Sequence, residues 1–287
     1  MADLKRKLEE YFSVDGRTGV ITGAGGGLCS EMARALAALG ARIAVLDLNA
    51  ENAGKVASEI RGAGGQAEAY PCSVLDRGQL QDVETAVRKR WGVPDFLING
   101  AGGNDPRGTT TLEFLERGVK PAAGERGFFE LDPAGVDATF ALNFQGTVLP
   151  IQVFGRGMVE RGSGSVLNIS SMNAFTPLTK VPAYAAAKAA VANFTRWLAA
   201  HFAHTGVRVN ALAPGFFLTD QLRFLHFDRA TGEPSARARK VIAHTPMGRY
   251  GEPEDLLGAV IWLLSDSSAF VTGSLVAIDG GFSAYSI

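Results

Sequence analysis

Cysteine, tryptophan and histidine are scarce in this chain of 287 residues, which holds two, three and four of them. Two cysteines, Cys29 and Cys72, cannot build a disulfide framework and suit a reducing compartment, so a cytoplasmic location is expected. His201 and His204 lie three apart on one helical segment, but no His-Glu-x-x-His accompanies them. A wet helix face is the better account, and no metal is expected. An excess of charge of either sign is also missing, with 28 Lys+Arg against 29 Asp+Glu. Without a basic footprint, nucleic acid is not an expected partner. No apolar run reaches the roughly 18 residues of a membrane span, and the charged stretch Met1 to Asp15 lacks the apolar core of a signal peptide. A Gly-x-Ser-x-Gly elbow, which a serine hydrolase would show, is absent.

Glycine is what the chain has in excess: 35 residues, about 12% against a usual ~7%. Hydrophobic residues make up 46%, enough for a large core. Short β-rich runs alternate with helical stretches. Strands are expected at Gly19–Thr22, Arg42–Asp47, Ala67–Cys72, Asp95–Asn99, Ser165–Ser170, Val207–Ala213 and Leu275–Asp279. Helices are expected at Leu28–Leu39, Gln79–Trp91, Ala185–His204 and Pro253–Leu264. Such alternation predicts an α/β fold, one domain over residues 1–287, with a doubly wound parallel sheet and helices on both faces. Leu4, Leu8 and Phe12 recur every four residues, so residues 3–13 read as an amphipathic helix lying on the domain. Two long excursions, residues 103–135 and 216–250, interrupt the alternation and are expected to be lids or binding loops.

The first strand runs into Thr22-Gly23-Ala24-Gly25-Gly26-Gly27-Leu28 and then a helix. A strand–loop–helix of this kind turns backbone N–H groups and a helix N-terminus toward an anionic pyrophosphate. Asp47 ends the second strand about twenty residues further on, where an acidic side chain binds the adenosine ribose hydroxyls. A carboxylate there repels a 2′-phosphate, and Leu48 and Asn49 supply no compensating cation. NAD is therefore expected in preference to NADP. Tyr184 and Lys188, spaced i, i+4 at a helix start, share one face. Ser170 and Ser171 end a strand at the carboxyl edge of the sheet, where ligands bind.

Together these motifs resemble the short-chain dehydrogenase/reductase family, from about Thr18 to Phe282. The family's Thr-Gly-x-x-x-Gly matches Thr22, Gly23 and Gly27. Asn99-Gly100-Ala101-Gly102 is similar to its Asn-Asn-Ala-Gly, Asn143 matches its active-site Asn, and Ser171 stands at the family's spacing before Tyr184. Pro214-Gly215 with Thr219 matches the segment that holds the nicotinamide, and Val271-Thr-Gly-Ser to Asp279-Gly280-Gly281 matches the family's tail. Cys29 stands where the loop's third glycine would be, and Ser73, followed by Val74, where the family carries Asp beside the adenine. The resemblance implies a Rossmann-like fold, cofactor contacts from Gly23, Gly25, Gly27, Leu28, Asp47, Ser73, Val74, Asn99, Ala101, Gly102, Tyr184, Lys188, Pro214, Gly215, Phe217 and Thr219, and a homo-oligomer, dimer or tetramer. It also implies the catalytic set Asn143, Ser171, Tyr184 and Lys188: Tyr184 as acid or base, Lys188 on the nicotinamide ribose, Ser171 as donor to the substrate oxygen, and Asn143 holding a water. A nucleotide-sensing regulator on this fold should have lost Tyr184, Lys188 or Ser171, and all three are present.

Three stretches, Asn99–Asn104 with Thr109-Thr110, Ser170–Lys180 and Ala213–Phe217, resemble the type within the family that interconverts D-mannonate and D-fructuronate. A sugar acid needs a cation for its carboxylate and small polar partners for its hydroxyls. Asn104, Arg107, Asn173, Thr179, Lys180 and Arg223 lie in segments expected beside the nicotinamide, and with Ser171 and Tyr184 they form the expected substrate contacts. Phe216, Phe217 and Phe224 would instead line the site of an apolar substrate. Another keto-sugar or gluconate-type substrate is the alternative.

Overall fold

The computed structural model describes residues 1–219, 222–223, 226–228 and 231–286. Seven strands form one parallel sheet: β1 (Thr18–Thr22), β2 (Arg42–Asp47), β3 (Gln66–Pro71), β4 (Phe96–Asn99), β5 (Gly164–Ile169), β6 (Val207–Pro214) and β7 (Leu275–Ile278). Their order is β3-β2-β1-β4-β5-β6-β7, and every neighbouring pair is parallel. All seven expected strands form, most of them displaced by a residue at one end. The chain winds outward from β1 to β3 and then returns to β4 on β1's other side. That reversal opens a crevice at the carboxyl ends of β1 and β4, where doubly wound sheets bind ligands.

Alternate strand residues face opposite layers, as the pleat requires. Ile21, Ile43, Phe96 and Ile98 pack with Met32 and Leu36 of α2 (Gly27–Ala38), Val56 and Ile60 of α3 (Ala50–Gly62), and Val260 and Leu263 of α9 (Leu257–Leu264). Val20, Ala44, Leu97 and Val166 pack with Leu80 and Val87 of α4 (Arg77–Trp91), Phe154 and Met158 of α6 (Gly146–Arg161), and Leu198 of α7 (Pro182–His201). Side-chain caps start two of these helices: Asn49 accepts from Asn52 N and Asp76 accepts from Gln79 N, each at 3.0 Å. α5 (Pro133–Phe140) leads into α6 through a π-turn, Ala141–Gln145, with Asn143 buried inside it. Such turns widen the helix by one residue and are frequent at functional sites.

The two long excursions are anchored by different forces. In the first, Asp105 takes two hydrogen bonds from the Arg107 guanidinium, and Asp132 lies beyond it at 3.8 Å. Gly108 and Gly135 meet backbone to backbone; a Cβ on Gly135 would stand 2.5 Å from Gly108 N. That close approach docks the excursion on α5, so Gly108 serves contact rather than mobility. In the second, His226 Nδ1 and Tyr250 Oη lie 2.7 Å apart in a small apolar cluster that includes α8 (Ala236–His244). Phe224 lies outside the described residues. Residues Ala2–Tyr11 form α1, but its apolar stripe does not lie on the domain: Leu4, Leu8 and Phe12 are about half exposed, and ion pairs Lys5–Glu9 and Arg6–Glu10 run along the helix instead. The period makes a helix; it does not supply a surface to pack on.

Gly19 stands opposite Phe96 across the β1–β4 pair, and the buried ring lies over it; a Cβ there would fall 2.0 Å from the ring. Gly19→Ala should therefore lower unfolding stability by about 1–3 kcal/mol through overpacking. Urea denaturation should show a smaller cost in a Phe96→Leu background, where the ring is gone.

Candidate active site

The loop after β1 presents backbone rather than side chains. Gly26 is the N-cap of α2 with no side-chain cap, and a Cβ at Gly26 or Gly27 would meet nothing within 4 Å. The open helix N-terminus and its unsatisfied N–H groups suit a phosphate. Gly25 faces Asp47: its N–H donates to Asp47 Oδ2 at 2.9 Å, and a Cβ would fall 2.8 Å from Asp47 Cγ. Asn49 N donates to Oδ1 of the same carboxylate at 2.9 Å. Asp47 thus holds the glycine loop as well as marking the end of β2. Leu28 is half-buried at the helix start. The arrangement fits a dinucleotide.

The loop after β4 is pinned from two sides. Thr22 Oγ1 accepts from Gly100 N at 3.1 Å and Ala101 N at 3.2 Å. Asn143 Nδ2 donates to Gly103 O at 2.7 Å and to Thr139 O at 2.8 Å, while its Oδ1 accepts from Gly103 N at 3.2 Å. Both amide protons of Asn143 are therefore committed to backbone. Gly102 sits over the same residue, where a Cβ would fall 2.6 Å from Asn143 Oδ1 and 3.2 Å from Lys188 Nζ. Asn99 does not face the crevice; its side chain donates to Asn168, which donates to Thr195 of α7, a buried chain joining β4, β5 and that helix. Thr22 belongs to the Thr-Gly-x-x-x-Gly motif, though without this role; Thr139 and Thr195 were not expected to matter. Thr22 precedes the glycine loop and could have been found; the other two carry no local signal.

Ser171, Tyr184 and Lys188 converge at the end of β5. Ser171 caps a 3-10 turn, Met172–Ala174, its hydroxyl accepting from Asn173 N at 3.2 Å. Burial pushes the Tyr184 phenol above its ordinary value, and the bond from Ser171 opposes this. Lys188 is buried, donates from Nζ to Ile169 O at 2.8 Å, and stands 5.5 Å from the centroid of the Tyr184 ring. Burial pushes its ammonium down to about 8.

The remaining expected residues divide. Ser73 N donates to Gln79 Oε1 at 2.8 Å, and Val74 is buried against Gly146. Pro214 is buried, Gly215 N bonds Ile278 O, and Thr219 starts the next turn, accepting from Arg223 N. Phe217 is a correction: its ring is buried in the core beside Gly251, so only its backbone can face a cofactor. Asn104 is exposed and Lys180 is half-buried with φ 73°. Arg107 is also corrected: its guanidinium is matched to Asp105 and Asp132 instead of being offered to a ligand. Asn173 is buried, with its amide engaged by Ser171 and Leu178 N. Arg223 is exposed.

A family model described as enoyl-(acyl carrier protein) reductase matches residues 23–283. Over 268 residues, 93% of each chain, this protein is 50% identical to an oxidoreductase of Haemophilus influenzae. It is 34% identical over 271 residues, 94% of each chain, to the D-threitol dehydrogenase of Mycolicibacterium smegmatis. Among solved structures it matches a Haemophilus influenzae protein proposed to be a D-mannonate oxidoreductase and solved with bound NAD. The TM-score is 0.90 at 49% identity, over 96% of this chain and 97% of the other. The chain belongs to the short-chain dehydrogenase/reductase family. It is an oxidoreductase. Among the described residues no helix is long and apolar enough to cross a membrane.

The buried Lys188 makes stability depend on pH. Its folded value, about 8, lies below the ordinary 10.5, so between those values the unfolded chain binds the extra proton. Stability from this group then rises with pH across that window. Between pH 8 and 10, wild type should gain stability relative to Lys188→Met by up to ~3 kcal/mol, read from denaturant midpoints at each pH.

Proposed function

We propose that the protein is an NAD(H)-dependent dehydrogenase/reductase interconverting a secondary alcohol and a ketone on a sugar acid, with D-mannonate and D-fructuronate the best-supported pair. The observation that carries the chemistry is the convergence of Ser171, Tyr184 and Lys188 at one strand end, next to the pinned loop after β4. Gly23, Gly25, Gly27 and the α2 N-terminus would hold the pyrophosphate, and Asp47 the adenosine ribose. Ala101, Gly102, Gly215 and Thr219 line the nicotinamide end. When bound, the nicotinamide supplies a hydride to the carbonyl carbon or accepts one from the alcohol.

The protein's own groups handle charge and the proton. In reduction the carbonyl oxygen gains negative charge, which the Ser171 O–H stabilises by donating to it. The Tyr184 O–H then transfers its proton to that oxygen. In oxidation the Tyr184 phenolate removes the alcohol's proton. A neighbouring ammonium favours the phenolate, which is the role given to Lys188. Asn143 keeps Gly103 in place beneath this group through its side chain.

Three features support a sugar acid: the likeness to the Haemophilus structure, the exposed amide of Asn104, and the cations of Lys180 and Arg223, which form no ion pair among the described residues. Asp47 supports NAD over NADP, since its carboxylate faces the loop where a 2′-phosphate would bring further negative charge. The oligomer is supported by an aromatic ladder on α7: Phe194 stacks on Trp197, and Trp197 on His201 at 4.9 Å, with Trp197 57% exposed. A second copy of the chain would cover that ring.

NADH oxidation assayed against D-fructuronate, 5-ketogluconate and other keto-sugar acids should show turnover with D-fructuronate first; inactivity on every hexuronate removes the substrate assignment. Tyr184→Phe should lower kcat by about 100-fold or more while NADH binding, followed by fluorescence, is retained. Asp47→Ser should raise kcat/KM for NADPH relative to NADH at least ~10-fold, one tenfold step being about 1.4 kcal/mol; an unchanged ratio would remove the basis for NAD preference.

A further inference from the structure

Ser171 is held in an unusual way. Its Oγ accepts from Asn173 N at 3.2 Å and from Asn173 Nδ2 at 3.1 Å. A hydroxyl has two acceptor sites and one proton. Both acceptor sites are taken, so the proton is all that Ser171 has left to offer. The orientation of the Asn173 amide is not arbitrary, because its Oδ1 accepts from Leu178 N at 2.9 Å. Flipping the amide would set its NH2 against that N–H and its oxygen against Ser171. Asn173 is 6% exposed, so water cannot replace either bond at low cost.

We infer that Asn173 is a positioning residue whose amide commits the Ser171 hydroxyl to donate, toward the substrate oxygen and the Tyr184 phenolate, and prevents it from accepting. The inference rests on the reading of Ser171 and Tyr184 given above. Without the amide donor, Ser171 regains an acceptor site, and the Tyr184 O–H can donate to it instead of to substrate. A loss of that kind weakens an oxyanion donor, and such donors are worth about 10²–10³ in kcat.

Two substitutions separate this role from a merely structural one. Asn173→Asp keeps the size and the acceptor for Leu178 N but turns a carboxylate oxygen on Ser171, which then donates the wrong way. Asn173→Ala removes both side-chain bonds yet leaves Ser171 able to donate. A structural role predicts that Ala is the more damaging change; commitment of the serine proton predicts that Asp is. In ketone reduction at neutral pH, we expect kcat to fall about 10-fold for Ala and about 100-fold or more for Asp, with KM for substrate changed less than ~3-fold and NADH affinity unchanged. In alcohol oxidation the rate rises as Tyr184 ionises, and this acidic limb should move to higher pH in both variants: in Asp because Ser171 donates to the carboxylate, in Ala because the phenol can donate to the freed acceptor site, which favours its protonated form.

Asp-variant activity equal to or above the Ala variant overturns the inference. So does an unmoved acidic limb in the Ala variant, which alone decides if the Asp variant does not fold. Ser171→Ala is run alongside. If it keeps full turnover, the catalytic reading fails and the inference with it; if it is inactive and the Ala/Asp order is reversed, only the inference fails. Asn173→Ala placed in Ser171→Ala should lower activity no further, because its effect passes through the serine.

Discussion

The loop after β4 is held by four hydrogen bonds, two from its amides to Thr22 and two exchanged between Gly103 and Asn143, and the candidate site is built outward from it. Thr22 ends β1 and Asn143 sits in the π-turn between α5 and α6, so the clamp joins β1 to that pair of helices. Backbone lying this close to a ligand needs residues without side chains, which is why Gly102 fills a place where a Cβ would strike Asn143. The π-turn makes the clamp possible. By inserting one residue into the helix it turns the Asn143 side chain back toward the strand ends, and it leaves Thr147 to cap the Asn143 carbonyl at 2.9 Å.

Two departures from the family pattern become one feature in space. Cys29 replaces a glycine in the first loop, and Gly100 replaces an asparagine after β4. A Cβ on Gly100 would stand 2.0 Å from Cys29 Sγ. The sulfur therefore occupies the room that a larger residue at position 100 would need, so Cys29 is accommodated by Gly100. Burial pushes the Cys29 thiol up to about 12, so it fills space and is not a nucleophile. The sequence shows both exchanges, but they lie some seventy residues apart, and only the β1–β4 pairing makes them neighbours.

That distinction marks what could be read in advance. The strands were legible because a doubly covered parallel strand is a short apolar run with few alternatives, as in Phe96–Asn99 and Arg42–Asp47. The placement of Asp47 beside the glycine loop was legible as well, because it follows from a fixed spacing after that loop. The pairing of polar side chains was not. Arg107 and Asn173 have the right chemistry for a sugar acid and sit in the right segments, yet each is engaged by neighbours: Asp105 and Asp132 in one case, Ser171 and Leu178 N in the other. Residue type tells what a side chain can do; its nearest complementary partner decides what it does. The exposed stripe of α1 follows the same logic, since periodicity describes a helix face and not the surface opposite it.

The polar groups that remain at the crevice are ones the fold holds at a cost. Lys188 is a buried ammonium with one backbone acceptor, and the Tyr184 phenol is buried. Each of these opposes folding, since buried polar groups are stable only when satisfied. They persist because the surrounding lattice fixes them from several directions: Ser170 bonds the Lys188 carbonyl, Asn168 ties β5 to Thr195 of α7, and Ile169 presents its carbonyl to the Lys188 ammonium. A site arranged this way has little reorganisation left to perform when charge develops on a substrate oxygen. The rigid sheet end bears the cost of holding these groups in place.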